Sequence, residues 1–524
     1  MDVILINPDH GNKRNNFPWG VLSVGSYLVN QQGRDVRILD ASLDGVDATL
    51  EKLKELLPQV SLVGIGGMSS DTPFIKLASD FIKTASPTCK IIVGGSHATL
   101  CSKQLINYKN IDYVAYADGE ETLTVLLKEM ETPHPDLERV PGLIFLKNGK
   151  LIQTPIPTKV PFYRIDYTLL DKRVRATFGK YIQVLSGRGC SYKCTFCYVS
   201  IVGKKWRSPP FELLKDELDA VVGEYDPDQI YFRDELFFFD KNRIRAFIDF
   251  YKERGFRFQW RATCRTTDFR DNYVNDDLIK ELEEINCECL KFGFESGSDR
   301  TLKIIRKGAR VEHSYRVIDQ LAKSKQIKVN ASFLVGIPGE SYDNICETLN
   351  LAGLVQRRCP NAEIIGPSYY RVYPGGELYD MVIQDYGFFM PSTLEEWVER
   401  YNVPDNAHGF IDSGIHYDWV PKSAHFLAQN AALLLSLAKP GELRYIDRYK
   451  QKLLTPLRVL ARLRLKYGWY RLLLDLHTAK AILDFDLWTL LDNSAFYARL
   501  SRMTWFKNFK GTGLFKTVRG FFAE

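Results

Sequence analysis

Cys190, Cys194 and Cys197 place three thiols within eight residues, in the run Gly189-Cys190-Ser191-Tyr192-Lys193-Cys194-Thr195-Phe196-Cys197-Tyr198. A loop this short can turn three sulfurs toward one point and supply three thiolates to a metal cluster. A [4Fe–4S] cluster takes four ligands, so three cysteines leave one iron open to a substrate or cofactor. Two other readings use the same atoms. Structural zinc closes its tetrahedron with a fourth Cys or a His, yet the next cysteine is Cys264 and no His lies near the loop. A disulfide framework is disfavoured because Cys89, Cys101, Cys264, Cys287, Cys289, Cys346 and Cys359 lack framework spacing. The pattern favours the cluster.

The elements that must hold this loop sit in a chain of 524 residues, room for about three domains of roughly 150 residues. Its 45% hydrophobic and 26% charged content is that of a globular protein. Met1–Ile6 reads as a first strand and not as a targeting peptide, because it lacks a basic leader. No run of about 18 uncharged apolar residues suggests a membrane span. The cysteines fit a reducing cytoplasm. The net charge of +6 is uneven: residues 441–524 carry 16 Lys and Arg against 7 Asp and Glu. The positive charge belongs to the tail.

In residues 1–145, the apolar runs Val3–Ile6, Val36–Leu39, Leu62–Ile65, Ile91–Val93 and Tyr113–Ala115 alternate with helical stretches such as Val21–Gln32 and Pro73–Thr84. This alternation predicts an α/β fold with a doubly wound, Rossmann-like parallel sheet. Ligands on such sheets sit beyond the carboxyl ends of the strands. Gly and small polar residues gather there, at Asn7-Pro8, Gly64–Ser70, Gly94-Gly95-Ser96-His97 and Asp118-Gly119-Glu120. Gly64-Ile65-Gly66-Gly67 fails the dinucleotide fingerprint, since Ser69 stands where its third glycine belongs.

Asn7-Pro8, Pro18-Trp19-Gly20-Val21-Leu22, Gly33, Gly94–Thr99 and Gly119-Glu120-Glu121-Thr122 together resemble the cobalamin-binding domain of B12-dependent radical SAM proteins. The resemblance implies a corrinoid on this sheet edge, with Gly94, Gly95, Gly119 and Glu120 as contacts. Glycines suit such a site because backbone must approach a bulky ligand closely. The Asp-x-His-x-x-Gly signature, whose His ligates cobalt in other cobalamin proteins, is missing. Asp9-His10-Gly11 has the wrong spacing, and neither His10 nor His97 is expected to be a lower ligand. A domain kept for packing alone is the plain alternative.

Residues 146–180 read as a linker punctuated by Pro155, Pro157 and Pro161. From 181 to 390, strand-like runs at Tyr181–Leu185, Gln229–Phe232, Phe258–Ala262, Cys289–Gly293, Val329–Val335 and Ile364–Val372 alternate with helical stretches. They predict a full or partial β/α barrel whose site lies at the strand carboxyl ends. With the cysteine loop, this segment resembles the radical SAM superfamily. The resemblance implies three cysteines on [4Fe–4S], and S-adenosylmethionine chelating the open iron through its amine and carboxylate. One electron then cleaves the sulfonium to a 5′-deoxyadenosyl radical.

Carried over residue by residue, Glu235 stands where the family binds the methionine ammonium, with Asp234 a weaker candidate and the family's glycines replaced. Arg261 and Arg265 could pair with the methionine carboxylate or simply be solvated. Phe196 and Tyr198 flank the last cysteine, as family aromatics do or as ordinary packing. Phe294-Glu295-Ser296-Gly297-Ser298 matches the family's Gly-x-Glu-Ser-Gly element, which assigns Glu295 and Ser296 to the methionine or ribose end. Val335-Gly336-Ile337-Pro338-Gly339-Glu340 resembles the adenine-side element, with Gly336 and Pro338 as contacts. Tyr373–Tyr379 resembles the ending of the sixth strand, with Gly376 in place of a Thr; it faces substrate or turns the chain.

Residues 391–524 form a mainly helical region, basic toward its end, that matches no cofactor motif. Its Leu-, Arg- and aromatic-rich runs either pack with their charges outward, lie on an anionic membrane, or meet a partner helix. Nucleic acid is not expected, because no recognised module accompanies the charge. The leading expectation is a cobalamin-dependent radical SAM methyltransferase, drawing electrons from a flavodoxin or ferredoxin. Its expected substrate is an unactivated carbon of a small molecule or lipid. On the family's model, methylcobalamin gives its methyl to a substrate radical. A cyclising or rearranging B12 enzyme, and an electron-transfer or sensory cluster protein, are the alternatives; Glu295-Ser296 and Gly336–Gly339 speak against the latter, since a relay needs no nucleoside pocket.

Overall fold

The computed structural model describes residues 1–9, 17–157, 162–176, 181–202, 205–401, 417–441, 443, 446 and 448–484. The chain divides into two compact units: Met1–Lys291 with Ile305–Gly308 and Val372–Pro404, and Phe292–Ile304 with Ala309–Arg371 and Asp405–Glu524. His10, Pro161 and the apolar–basic runs 505–510 and 515–522 lie outside the described residues.

The first unit opens with seven strands: β1 (Val3–Asn7), β2 (Val36–Asp40), β3 (Leu62–Gly66), β4 (Lys90–Gly94), β5 (Tyr113–Ala115), β6 (Leu143–Lys147) and β7 (Lys150–Gln153). Their order is β2-β1-β3-β4-β5-β6-β7, with the first five parallel, β6 antiparallel to β5 and β7 antiparallel to β6. Continuous apolar runs suit strands covered on both faces. β1 shows why: Val3 and Leu5 enter one buried cluster, Ile4 and Ile6 the other. The order reverses between β1 and β3, and a crevice opens at such a switch point. Helix Leu394–Tyr401, which the sequence places at the start of the C-terminal region, packs on helix Thr72–Ala85 of this sheet.

Six further strands follow: β8 (Ile182–Val184), β9 (Gln229–Phe232), β10 (Gln259–Thr263), β11 (Cys287–Glu295), β12 (Lys328–Val335) and β13 (Glu363–Tyr369). In the first unit β8, β9, β10 and β11 pair in parallel in that order. β11 ends in the second unit, where β12 pairs in parallel with β13. Each unit thus carries part of the parallel strand–helix repeat expected from residue 181 onward.

Local chemistry sets the element ends. Helix Lys241–Arg254 starts at Asp240, whose carboxylate accepts from the Asn242 and Arg243 amides, and stops at Gly255 in the left-handed region. Under it, Phe232, Phe237, Phe247 and Trp260 pack face and edge, Phe232 on Phe237 at 4.5 Å. Such aromatic contacts add to area burial and anchor both ends of the turn Arg233-Asp234-Glu235.

In the second unit, helix Arg448–Tyr467 packs on helices Ala431–Ala438 and Tyr342–Arg358 through buried Leu454, Ala461 and Leu465. Its arginines are turned to structural use. Arg458 donates to the carbonyls of Leu437 at 3.1 Å and Lys439 at 2.5 Å, and Arg462 to that of Ala438 at 3.1 Å. These are orphan carbonyls of a helix C-terminus, where cations are favoured. Arg464 is buried against Asp475 at 2.6 Å. No helix among the described residues is long and apolar enough to cross a membrane.

Candidate active site

A cavity of about 660 Å³ opens at the carboxyl edge of the first sheet. The turns after β1, β3, β4 and β5 line one side, including Gly94, Gly95, Gly119 and Glu120; Gln183, Arg188, Arg233 and Glu235 line the other. Two of these turns touch backbone to backbone. The Gly67 amide donates to the Gly94 carbonyl at 3.1 Å, and the His97 amide donates to the Gly67 carbonyl at 3.3 Å. Gly95, at φ 95° and ψ −167°, occupies a region essentially reserved for glycine. A Cβ there would stand 2.6 Å from the Gly67 carbonyl oxygen. Gly94 has no such constraint, since its nearest neighbour would be the Ala115 methyl at 3.9 Å.

This glycine-lined cradle fits a bulky planar group such as a corrinoid. His97 is fully buried, with Nδ1 3.1 Å from the Ser69 hydroxyl and its ring edge-on to Trp397 at 5.1 Å. Burial pushes its pKa down to about 4. It is not among the residues lining the cavity. Glu120 is also buried, and its carboxylate accepts from Arg188 at 2.6 Å and from the Tyr163 hydroxyl at 2.5 Å. The Arg188 guanidinium and the Tyr163 hydroxyl outweigh burial and hold its pKa below the usual carboxylate range.

The cysteine loop leaves β8 and closes on itself. The Arg188 amide donates to the Arg207 carbonyl at 2.8 Å, and the Arg207 amide returns to Arg188 at 2.9 Å. All three cysteines are free thiols, Cys194 buried and the other two half-buried. Burial raises the Cys190 and Cys197 thiols. The Tyr192 amide offsets this at Cys190, and the Val199 and Ser200 amides at Cys197. Each of these two thiols also feels Cys194, and Cys197 feels Cys190 as well. Backbone N–H groups aimed at sulfur are what a thiolate-held cluster uses for charge compensation. Three cysteine thiols on one short loop are the donors that such a cluster would take. The donor set fits [4Fe–4S].

Two carboxylates prop the loop. Buried Asp234 accepts from the Ser186 amide and hydroxyl, each at 2.7 Å, and burial pushes it up to about 7. Glu235, exposed into the cavity, accepts from the Gly189 amide at 3.0 Å. Arg265 is 8% exposed rather than solvated: it lies over the Tyr192 ring at 3.4 Å and donates to the Lys307 carbonyl. Arg261 pairs with Glu288 at 2.7 Å.

In the second unit, Glu295 ends β11 at φ 64°, buried. A non-glycine there costs about 1–2 kcal/mol, and such outliers cluster at functional sites. The Ser296 hydroxyl lies 2.7 Å from that of Thr348, on helix Tyr342–Arg358. A Cβ on Gly297 would meet the Glu347 carbonyl oxygen at 2.2 Å. Gly297→Ala is therefore expected to destabilise the chain by about 3 kcal/mol or more, by chemical denaturation. An unchanged denaturation midpoint contradicts this packing.

Gly336, at φ 79°, would drive a Cβ into the Tyr369 ring at 2.5 Å, and its carbonyl accepts from the Trp419 indole at 2.9 Å. Buried Pro338 follows in the same turn. Glu340 closes it, accepting from the Gly336 amide at 2.7 Å and the Ile337 amide at 3.1 Å. Burial nonetheless pushes Glu340 up to about 7. A raised carboxyl stabilises fully below the unfolded value near 4.5 and loses that stability as pH climbs toward 7. In Glu340→Gln this loss is absent. Its stability relative to wild type is expected to rise by up to about 3 kcal/mol between pH 4.5 and 7.5; parallel pH profiles would refute the assignment.

Arg188, Tyr163 and Trp419 escape sequence reading. Arg188 abuts the Gly189-Cys190 motif, but its partner is remote. The Trp19 indole donates to Gln183 at 2.8 Å, and Trp419 lies in a region without motifs.

A glycine-cradled sheet edge beside a three-thiol loop defines an iron–sulfur enzyme with a second, large cofactor. Residues 15–127 match the B12 binding domain and residues 184–352 the Radical SAM superfamily. The chain is a B12-binding-domain-containing radical SAM protein, and its cofactors are a [4Fe–4S] cluster, S-adenosylmethionine and cobalamin. It is similar to an uncharacterized methyltransferase of Pyrococcus horikoshii, 27% identical over 70% of this chain and 78% of that protein. It is 25% identical to the anaerobic magnesium-protoporphyrin IX monomethyl ester cyclase of Synechocystis, over 59% of this chain and 64% of the cyclase. In fold it resembles the radical S-adenosylmethionine methyltransferase TsrM from Kitasatospora setae, solved with cobalamin and [4Fe–4S] bound. There the TM-score is 0.63 at 16% identity, over 92% of this chain and 100% of that one.

Proposed function

We propose that this radical SAM enzyme methylates an unactivated carbon of a small, hydrophobic or natural-product-type molecule. One observation carries the reading: Arg188 and Glu235 frame the cysteine loop and also line the sheet-edge cavity. Both cofactor sites therefore draw on the same residues. The bound cofactors supply reductive cleavage of S-adenosylmethionine and a transferable methyl group.

The chain's residues position and shield that chemistry. Cys190, Cys194 and Cys197 hold the cluster; Gly94, Gly95, Gly119 and Glu120 shape the corrinoid edge. Glu235, Glu295, Ser296, Gly336 and Pro338 are the proposed S-adenosylmethionine contacts. The Ser296 hydroxyl is hydrogen-bonded with that of Thr348, so its contact to nucleoside is expected through backbone. An external one-electron donor such as flavodoxin or ferredoxin completes the cycle. Exposed Leu453, Leu460, Leu463 and Tyr467 support the finer reading of a cytoplasmic enzyme with peripheral membrane contact. The similarity to the cyclase supports a second reading, oxidative ring formation without methyl transfer.

The test is anaerobic reconstitution with iron, sulfide and cobalamin, then incubation with methyl-labelled S-adenosylmethionine and candidate tetrapyrroles, lipids and peptides. Label in a carbon-bound product supports the methyltransferase. An unlabelled, dehydrogenated product supports the cyclase reading instead.

A further inference from the structure

The cysteine loop is tied to one turn of the cobalamin-binding sheet, at both of its ends. Arg188 precedes the loop and pairs with Glu120 at 2.6 Å; Arg207 follows it and pairs with Asp118 at 3.1 Å. Arg188 and Arg207 are locked to each other by their two backbone hydrogen bonds. Arg188 also donates to the Ser23 hydroxyl at 2.6 Å and the Tyr163 hydroxyl at 3.0 Å. Glu120 is buried, so its charge relies on this guanidinium. Ser23, Asp118, Glu120 and Arg188 all line the sheet-edge cavity. A ligand filling that cavity and a cluster ordering the loop therefore act on the same four side chains.

We propose that the turn Asp118-Gly119-Glu120 is a positioning element that couples cobalamin binding to cluster assembly, through Arg188 and Arg207. Thermodynamic linkage makes such coupling reciprocal: whatever factor the cluster adds to cobalamin affinity, cobalamin adds to retention of the cluster. The inference rests on the cofactor assignment above.

The test is titration of the full-length chain with hydroxocobalamin, before and after cluster reconstitution, followed by tryptophan fluorescence. In the wild type the cluster is expected to tighten cobalamin binding at least about fivefold, the lower end of typical coupling. In Asp118→Asn and Glu120→Gln that factor is expected to fall toward one, with iron content unchanged. A merely structural role would weaken binding equally in both states and leave the factor intact. If Glu120→Gln does not fold, the half-exposed Asp118→Asn carries the comparison. An equal affinity with and without cluster in the wild type, or an undiminished factor in Asp118→Asn, overturns the coupling. A wild-type chain that binds no cobalamin in either state overturns the cofactor assignment beneath it.

Discussion

Cys194→Ala is expected to reduce reconstituted iron to background and to abolish 5′-deoxyadenosine formation, while Cys346→Ala leaves both unchanged. Cys194 is the buried member of the three loop thiols, and its removal leaves two ligands for a cluster that needs three from protein. The Cys194 carbonyl also receives the Cys197 amide at 3.2 Å and the Ser200 hydroxyl at 2.7 Å. Alanine keeps these backbone bonds, so the loop retains its path and loses only the sulfur. The effect should be all or none, because residues acting as one unit do not share their loss additively. Half-buried Cys346 lies in the second unit and controls for nonspecific thiol chemistry. The assignment fails if Cys194→Ala keeps its iron and its product, or if Cys346→Ala loses them.

Gly95→Ala is expected to lose cobalamin while Gly94→Ala folds and binds near normally. At Gly95 the added methyl meets Gly67 backbone at 2.6 and 2.8 Å, in a conformation an alanine adopts only under strain. Backbone cannot yield as a flexible side chain does, so either the β3 turn or the β4 turn must move. The cost is about 3 kcal/mol, and the moved turn is the cavity wall. One position earlier the methyl finds ordinary contact distances. Dialysis of cobalamin-loaded protein, followed by its absorbance, reads the difference: retention in Gly94→Ala and loss by more than tenfold in Gly95→Ala. Equal retention in the two variants would show that the glycine contact does not shape the site.

What the sequence made legible was local. The cysteine spacing, the strand-end glycines and the β/α alternation each lie within a few residues, and each states its own chemistry. Pairings across the chain were not legible. Glu120 and Arg188 are 68 positions apart, Ser296 and Thr348 are 52, and Gly336 and Trp419 are 83. Residue type said that each could hydrogen-bond, but only the fold selects the partner. Glu120 read as a cofactor contact, and it lines the cavity, but its partners Arg188 and Tyr163 could not be read from the sequence. Charge at the C-terminal region was legible in the same partial way. Counting arginines shows a basic segment, yet Arg458 and Arg462 serve helix-end carbonyls, which a charge count does not register.

The central claim is that Cys190, Cys194 and Cys197 would hold a [4Fe–4S] cluster, which would supply the one-electron reductive cleavage of S-adenosylmethionine. Its most direct measurement uses the reconstituted, cobalamin-loaded chain with S-adenosylmethionine and a low-potential reductant, under anaerobic conditions. Methionine and 5′-deoxyadenosine are quantified over time. Their appearance in equal amounts, dependent on reductant and on Cys190, Cys194 and Cys197, is the predicted result. A chain carrying its full complement of iron that forms no 5′-deoxyadenosine contradicts the claim.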